Sequence, residues 1–75
     1  MPRLPRISGR EARRAFERDG WVHQRTSGDH MQLTKPGFRT LVVPDHRELK
    51  VGTLRGLIRS AGLSVDRFVA LLQGA

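Results

Sequence analysis

The stretch Trp21-Val22-His23-Gln24-Arg25-Thr26-Ser27-Gly28-Asp29-His30-Met31-Gln32-Leu33-Thr34-Lys35-Pro36-Gly37-Phe38-Arg39-Thr40-Leu41-Val42-Val43-Pro44 carries the signal that decides the fold. Three runs alternate or are continuously apolar, and two turn-forming clusters separate them. Trp21 to Arg25 predicts a strand with Trp21, His23 and Arg25 on one side and Val22 and Gln24 on the other. Thr26-Ser27-Gly28-Asp29 predicts a turn. His30 to Thr34 predicts a second strand, with Met31 and Leu33 on one side and His30, Gln32 and Thr34 on the other. Lys35-Pro36-Gly37 turns the chain again, and Phe38 to Val43 predicts a third strand that Pro44 stops. Short loops between consecutive strands imply an antiparallel meander.

Helical signals flank this sheet. Upstream, Ser8-Gly9-Arg10-Glu11 is a capping box, in which Ser8 and Glu11 satisfy each other's free amides. Ala12, Ala15 and Phe16 then fall on one helical face, and Gly20 after Asp19 suits the left-handed residue that ends a helix. Downstream, residues 45–50 predict a connecting loop. A second helix starts near Val51-Gly52-Thr53, with Leu54, Leu57, Ile58 and Ala61 on its apolar face and Gly62 at its end. Ser64 caps a last short helix whose stripe is Val65, Phe68, Val69 and Leu72. The order is α-β-β-β-α-α: an α+β fold with helices packed on one face of a three-stranded antiparallel sheet. Such an arrangement resembles the double-stranded RNA-binding fold. Residues 1–7, rich in proline and arginine, predict a flexible arm on a single domain spanning 1–75.

Composition narrows the function classes. A chain of 75 residues buries only roughly 60% of its unfolded surface, so a deep enclosed pocket does not fit and a site should be shallow. There is no cysteine, which removes disulfides and thiolate metal sites. With no apolar run near Met1 to serve as a signal peptide, the expected location is the cytoplasm. The net charge is +7, and twelve of the fourteen basic residues are arginine, whose planar fork suits phosphate. A polyanion such as nucleic acid is the partner this charge favours. A membrane surface fits less well, because no helix is strongly apolar on one side and basic on the other.

The side chains that titrate near neutral pH without help are three histidines. His23 lies in mid-strand beside Trp21. His46 sits in the loop after Pro44, where a structural hydrogen bond explains it as well as chemistry does. His30 follows Gly28-Asp29 at the mouth of a hairpin, opposite to Met31 and Leu33, and should stand exposed on the sheet. Asp29-His30 and Asp45-His46 are two Asp-His pairs, but no chelating spacing accompanies them, so no metal or other cofactor is expected. Neither a nucleophile elbow nor a Walker pattern is present.

The ordered set Asp19-Gly20-Trp21, Arg25-x-x-Gly28-Asp29-His30, Val42-Val43-Pro44-x-His46 and Leu49-Lys50-x-Gly52-Thr53-Leu54-Arg55-x-Leu57-Ile58-Arg59-x-Ala61-Gly62-Leu63-Ser64 resembles the HicA toxin family. The resemblance runs from about Ser8 to Leu72. It implies the toxin of a type II toxin–antitoxin pair: a ribonuclease that cuts mRNA, arrests growth and is neutralised by a HicB-type antitoxin, through which any oligomer would form. It marks His30 as the catalytic histidine. The family often has Gly-Ser-His where this chain has Gly28-Asp29-His30, so a carboxylate stands beside the histidine and can orient its ring.

On that basis His30 is expected to act as general acid or base on the ribose 2′-hydroxyl or the leaving 5′-oxygen. Arg25, Lys35, Gly28 and Asp29 are the expected RNA-binding residues, the first two through phosphate. The second proton carrier stays open among Asp29, His23 and water. The alternative is a non-catalytic RNA-binding module of the same fold, with His30 bonding a ribose or phosphate.

Overall fold

The computed structural model describes residues 3–74. Its elements run α1 (Gly9–Arg18), β1 (Val22–Ser27), β2 (His30–Thr34), β3 (Leu41–Pro44), α2 (Val51–Ser60) and α3 (Val65–Leu72). The strands form one antiparallel sheet in the order β1-β2-β3. The α-β-β-β-α-α order and the one-sided packing are those the sequence predicts, and the fold is of the double-stranded RNA-binding type.

Local chemistry sets the element ends. Ser8 Oγ accepts from the Glu11 amide at 3.1 Å and Glu11 accepts from the Ser8 amide at 3.0 Å, completing the capping box of α1. Ser8 thus holds the Glu11 carboxyl below its ordinary range. Gly20, at φ 98°, lets the chain reverse from α1 into the sheet. Ser64 caps α3 by accepting from Arg67 at 3.0 Å. At the other end of α3, the Arg18 guanidinium donates to the Leu71 carbonyl at 2.7 Å, placing a cation on a helix C-terminus.

The core lies between the sheet and the helices. Met31 and Leu33 of β2, with their cross-strand partners Val43 and Leu41, are buried under Ala12, Ala15 and Phe16 of α1, Leu54 and Ile58 of α2, and Phe68 and Leu71 of α3. Phe16 and Phe68 meet at 5.1 Å between ring centres, tilted by 48°, a contact worth about 0.5–1.5 kcal/mol beyond its buried area. Among the described residues, the opposite face of the sheet carries no helix.

Five details depart from the expectations. First, β1 runs on to Ser27, so the hairpin turn shrinks to Gly28-Asp29. Second, the β1–β2 register slips between His23 and Arg25, a bulge that puts Gln24 and Arg25 both against outward residues of β2. Arg25 therefore does not share a side with His23. Third, β3 begins only at Leu41. Phe38 leaves the sheet to pack on the buried Trp21 ring, 5.4 Å between centres. Fourth, Leu71 is fully buried while Val65, Val69 and Leu72 are half-buried, so the α3 stripe centres on Phe68 and Leu71. The arm also ends sooner than expected: Ile7 is a core residue, and its carbonyl accepts from the Leu49 amide at 2.8 Å. Met1 and Pro2 of that arm lie outside the described residues.

Candidate active site

The tip of the β1–β2 hairpin is built by Gly28. Ser27 pairs with His30, leaving two residues to turn the chain, and Gly28 takes φ 60° while Asp29 keeps a negative φ. That is the type II′ pattern, which requires glycine at its first central position and matches the twist of the strands. The tight turn fixes Asp29 and His30 relative to each other.

His30 opens β2 on the outward face, as predicted, because Met31 and Leu33 are drawn into the core. Its side chain is 62% exposed, and its Nδ1 lies 3.4 Å from Asp29 Oδ1. The other carboxylate oxygen, Oδ2, lies 2.9 Å from His46 Nε2. One carboxylate thus bridges two imidazoles. The hydrogen bond with His46, and next the nearby charge of His30, hold the Asp29 carboxyl below its ordinary range.

The register explains how His46 arrives there. Met31 pairs with Val43 and His30 with Pro44, so Asp29 meets the chain just after Pro44. The Asp45 amide donates to the Asp29 carbonyl at 2.6 Å. From the other side, the Gly9 amide donates to the His46 carbonyl at 2.9 Å, and Arg10 Nε contacts Asp45 Oδ1 at 3.1 Å. Gly9 is required here: a Cβ at that position would clash with the Pro44 carbonyl oxygen. The loop carrying His46 is therefore clamped between α1 and the hairpin tip. Sequence reasoning left His46 open between a structural hydrogen bond and chemistry and did not place it with His30; the paired Asp-His dipeptides, taken with the strand register, were the signal that it belongs beside Asp29.

The remaining candidates divide by position. Arg25 shares the outward face with His30 and contacts Gln32 Oε1 at 3.3 Å; as a diagonal neighbour it lies about 7–8 Å away backbone to backbone. Gly28 and Asp29 form the turn itself. Lys35 stands at the far end of β2, about 16 Å from His30 along the strand. There it pairs with Asp19 at 3.1 Å and sits 5.3 Å from the centre of the Phe38 ring. His23 is opposite Leu33, on the helix-facing side, and contacts Thr26 Oγ1 at 2.9 Å, so it does not join His30.

The site is an open surface. The clefts lie elsewhere, for example one of about 460 Å³ lined by Phe38, Leu41, Val42 and Leu57 among others. Such a surface admits a polymer laid across the sheet rather than enclosing a small molecule. Among the described residues, no group of three or more His, Asp or Glu is placed to hold a metal ion, and no helix is long and apolar enough to cross a membrane.

Comparison with known proteins agrees with this architecture. No curated protein matches the chain. A chain in the solved toxin–antitoxin complex from Streptococcus pneumoniae is 31% identical, with a TM-score of 0.70; the match covers 76% of this chain and 98% of that one. The family model for the HicA toxin of bacterial toxin–antitoxin systems matches residues 9–63, which span α1, the whole sheet, His30, the His46 loop and α2. The chain belongs to the HicA toxin family.

Proposed function

We propose that this chain is a ribonuclease toxin that cleaves mRNA with His30 and is silenced by a HicB-type antitoxin. The observation that carries this reading is the setting of His30: an exposed imidazole on the helix-free sheet face, with Nδ1 beside a carboxylate and Nε2 directed at no protein partner among the described residues. A histidine with a carboxylate beside one nitrogen and the other nitrogen free is equipped to move a proton at the free one.

The chemistry asks little else of the protein. The ribose 2′-hydroxyl gives up its proton, its oxygen bonds to the adjacent phosphorus, and the bond to the 5′-oxygen breaks as that oxygen gains a proton. His30 performs one of these transfers. Arg25, on the same face, offsets charge on the crowded phosphate, and Gly28 and Asp29 let the backbone of the tip approach the strand. Lys35 would serve only an RNA running the length of the hairpin. The net charge of +7 supports binding of any such strand.

The antitoxin is proposed to cover the outward sheet face and to bring acidic groups to Arg25. A complex that leaves His30 open to solvent would refute occlusion. The neighbouring solved chain comes from a toxin–antitoxin complex, which supports a protein partner of this kind.

Incubating labelled RNA with the purified protein, with and without excess chelator, tests the function. Cleavage in both is expected, since the steps above use side chains and the 2′-hydroxyl. Loss of cleavage that magnesium or manganese restores would overturn the metal-independent mechanism. Salt-dependent RNA binding with no cleavage would make the chain a binding module instead.

A further inference from the structure

We infer that His46 is the second proton carrier of the site, performing the transfer that His30 does not; this rests on the ribonuclease function proposed above. A single histidine leaves the reaction half provided for, because one proton must leave the 2′-oxygen while another reaches the 5′-oxygen. Among the described residues only His46 joins His30 at the hairpin tip with a group suited to the second transfer.

Three observations support the assignment. Asp29 presents one carboxylate oxygen to each ring, 3.4 Å from His30 Nδ1 and 2.9 Å from His46 Nε2. The two imidazoles thus flank a common carboxylate, His46 hydrogen-bonded to it through Nε2 and His30 beside it through Nδ1, each with its other nitrogen open. His46 is also as accessible as its anchor, each side chain being 55% exposed, although its backbone is pinned to Gly9 and its neighbour Asp45 to the Asp29 carbonyl. A residue serving only to tie the loop would be redundant with those backbone bonds. Finally, the other candidates are displaced: His23 faces the helices, and Asp29 is occupied by both rings and held in its charged form, a poor proton donor.

The proton balance is complete without a co-reactant. One ring accepts the 2′-hydroxyl proton, the other donates to the departing 5′-oxygen, and solvent restores both. The titratable and charged groups near His46 include Asp29 and His30 from the hairpin tip, Asp45 and Arg47 beside it in its own loop, and Arg10 of α1, which reaches Asp45 at 3.1 Å.

The test compares wild type, His46→Ala and His46→Gln for RNA cleavage across pH, with melting temperature measured on each. Glutamine keeps an amide nitrogen able to donate to Asp29 but cannot carry a proton. Both variants should lose roughly 10²- to 10⁴-fold in kcat while binding RNA as wild type does. The wild-type pH profile should be bell-shaped, and the residual activity of His46→Gln should lack one limb. Near-normal cleavage by His46→Gln, or a residual profile with both limbs intact, would overturn the inference and make His46 a positioning residue. Should His46→Ala fail to fold, the glutamine variant still decides. Absence of cleavage by wild type is a separate result, which refutes the ribonuclease function itself.

Discussion

The two ends of the β1–β2 hairpin use the same kinds of side chain for opposite purposes. At the open end, Lys35 meets Asp19 at 3.1 Å, with side-chain exposures of only 26% and 15%. Lys35 also lies near the Phe38 ring, which covers the buried Trp21. At the turn end, Asp29 meets two histidines, and all three side chains are more than half exposed. In the first case charges are spent closing a lid on an aromatic core. In the second, the backbone of the tip is already fixed by Gly28, by the amide of Asp45 and by the pinned loop, so the side chains carry little of the structural duty. Function is to be sought where the fold does not need the side chain.

The sharpest way to break that contrast is to delete one residue at each end. His30→Ala should abolish cleavage, losing roughly 10²- to 10⁴-fold in rate. Its stability should shift by less than about 0.5 kcal/mol, because an exposed ring packs against little. Trp21→Ala should do the reverse, costing about 3–5 kcal/mol of stability through the cavity it opens. Melting temperature and cleavage rate measured on the same preparations check both. If His30→Ala unfolds the protein, the turn end is structural after all.

Gly9 tests whether the turn end is held from behind. A methyl group there has no space against the Pro44 carbonyl, so Gly9→Ala must push the Pro44–His46 segment away. Overpacking of this kind typically costs about 1–3 kcal/mol. A loss of stability together with weaker cleavage is the expected outcome. Unchanged stability would show that the loop yields easily and that its clamp is not what positions His46.

Arg25 and Lys35 give a smaller but cleaner contrast. On single-stranded RNA, Arg25→Ala should reduce the slope of log affinity against log salt by about 0.7, the share of one phosphate contact. Lys35→Ala should leave that slope and lower the melting temperature instead, since its partner Asp19 is left without a counter-charge. Equal slope changes would mean that the RNA follows the whole hairpin and that the two ends are less distinct than their geometry suggests.

Much of this molecule was legible beforehand because its signals are local. The Ser8–Glu11 box, Gly20, Gly62 and Ser64 each act within one helical turn. The Met31–Leu33 alternation needs only the period of a strand, and it alone places His30 outward. What escaped depends on partners distant in sequence. The bulge at Gln24 exists only relative to β2, and Phe38 abandons the strand because Trp21 needs cover. Leu71 is chosen over Leu72 by the approach of α1 to α3. The Asp29–His46 contact spans a register that the pairing of Met31 with Val43 sets. His30 was found by its own strand and by resemblance, whereas His46 needed the third strand to be docked.

The smallest effect concerns acid. The Asp29 carboxyl is held below its ordinary range in the folded protein, by the His46 hydrogen bond first and the His30 charge second. Between its folded and unfolded pKa values the native state therefore binds fewer protons than the unfolded state, and stability rises with pH. The contribution is fully present above the unfolded value, near pH 4, and is lost as pH falls through the folded value. Asp29→Asn should accordingly melt below wild type near pH 5, with the gap closing toward pH 2. Glu11, lowered by its bonds to Ser8, should show the same acid signature in Glu11→Gln. The two should part in catalysis: Glu11→Gln should cleave RNA normally, because Glu11 serves only the helix start, whereas Asp29→Asn should cleave more slowly by loosening its hold on both imidazoles. A thermal melt series from pH 2 to 6, paired with one cleavage assay at neutral pH, is sufficient. A gap between wild type and Asp29→Asn that persists unchanged at pH 2 would show that the carboxylate charge contributes nothing to holding the tip, and that the backbone bonds hold it alone.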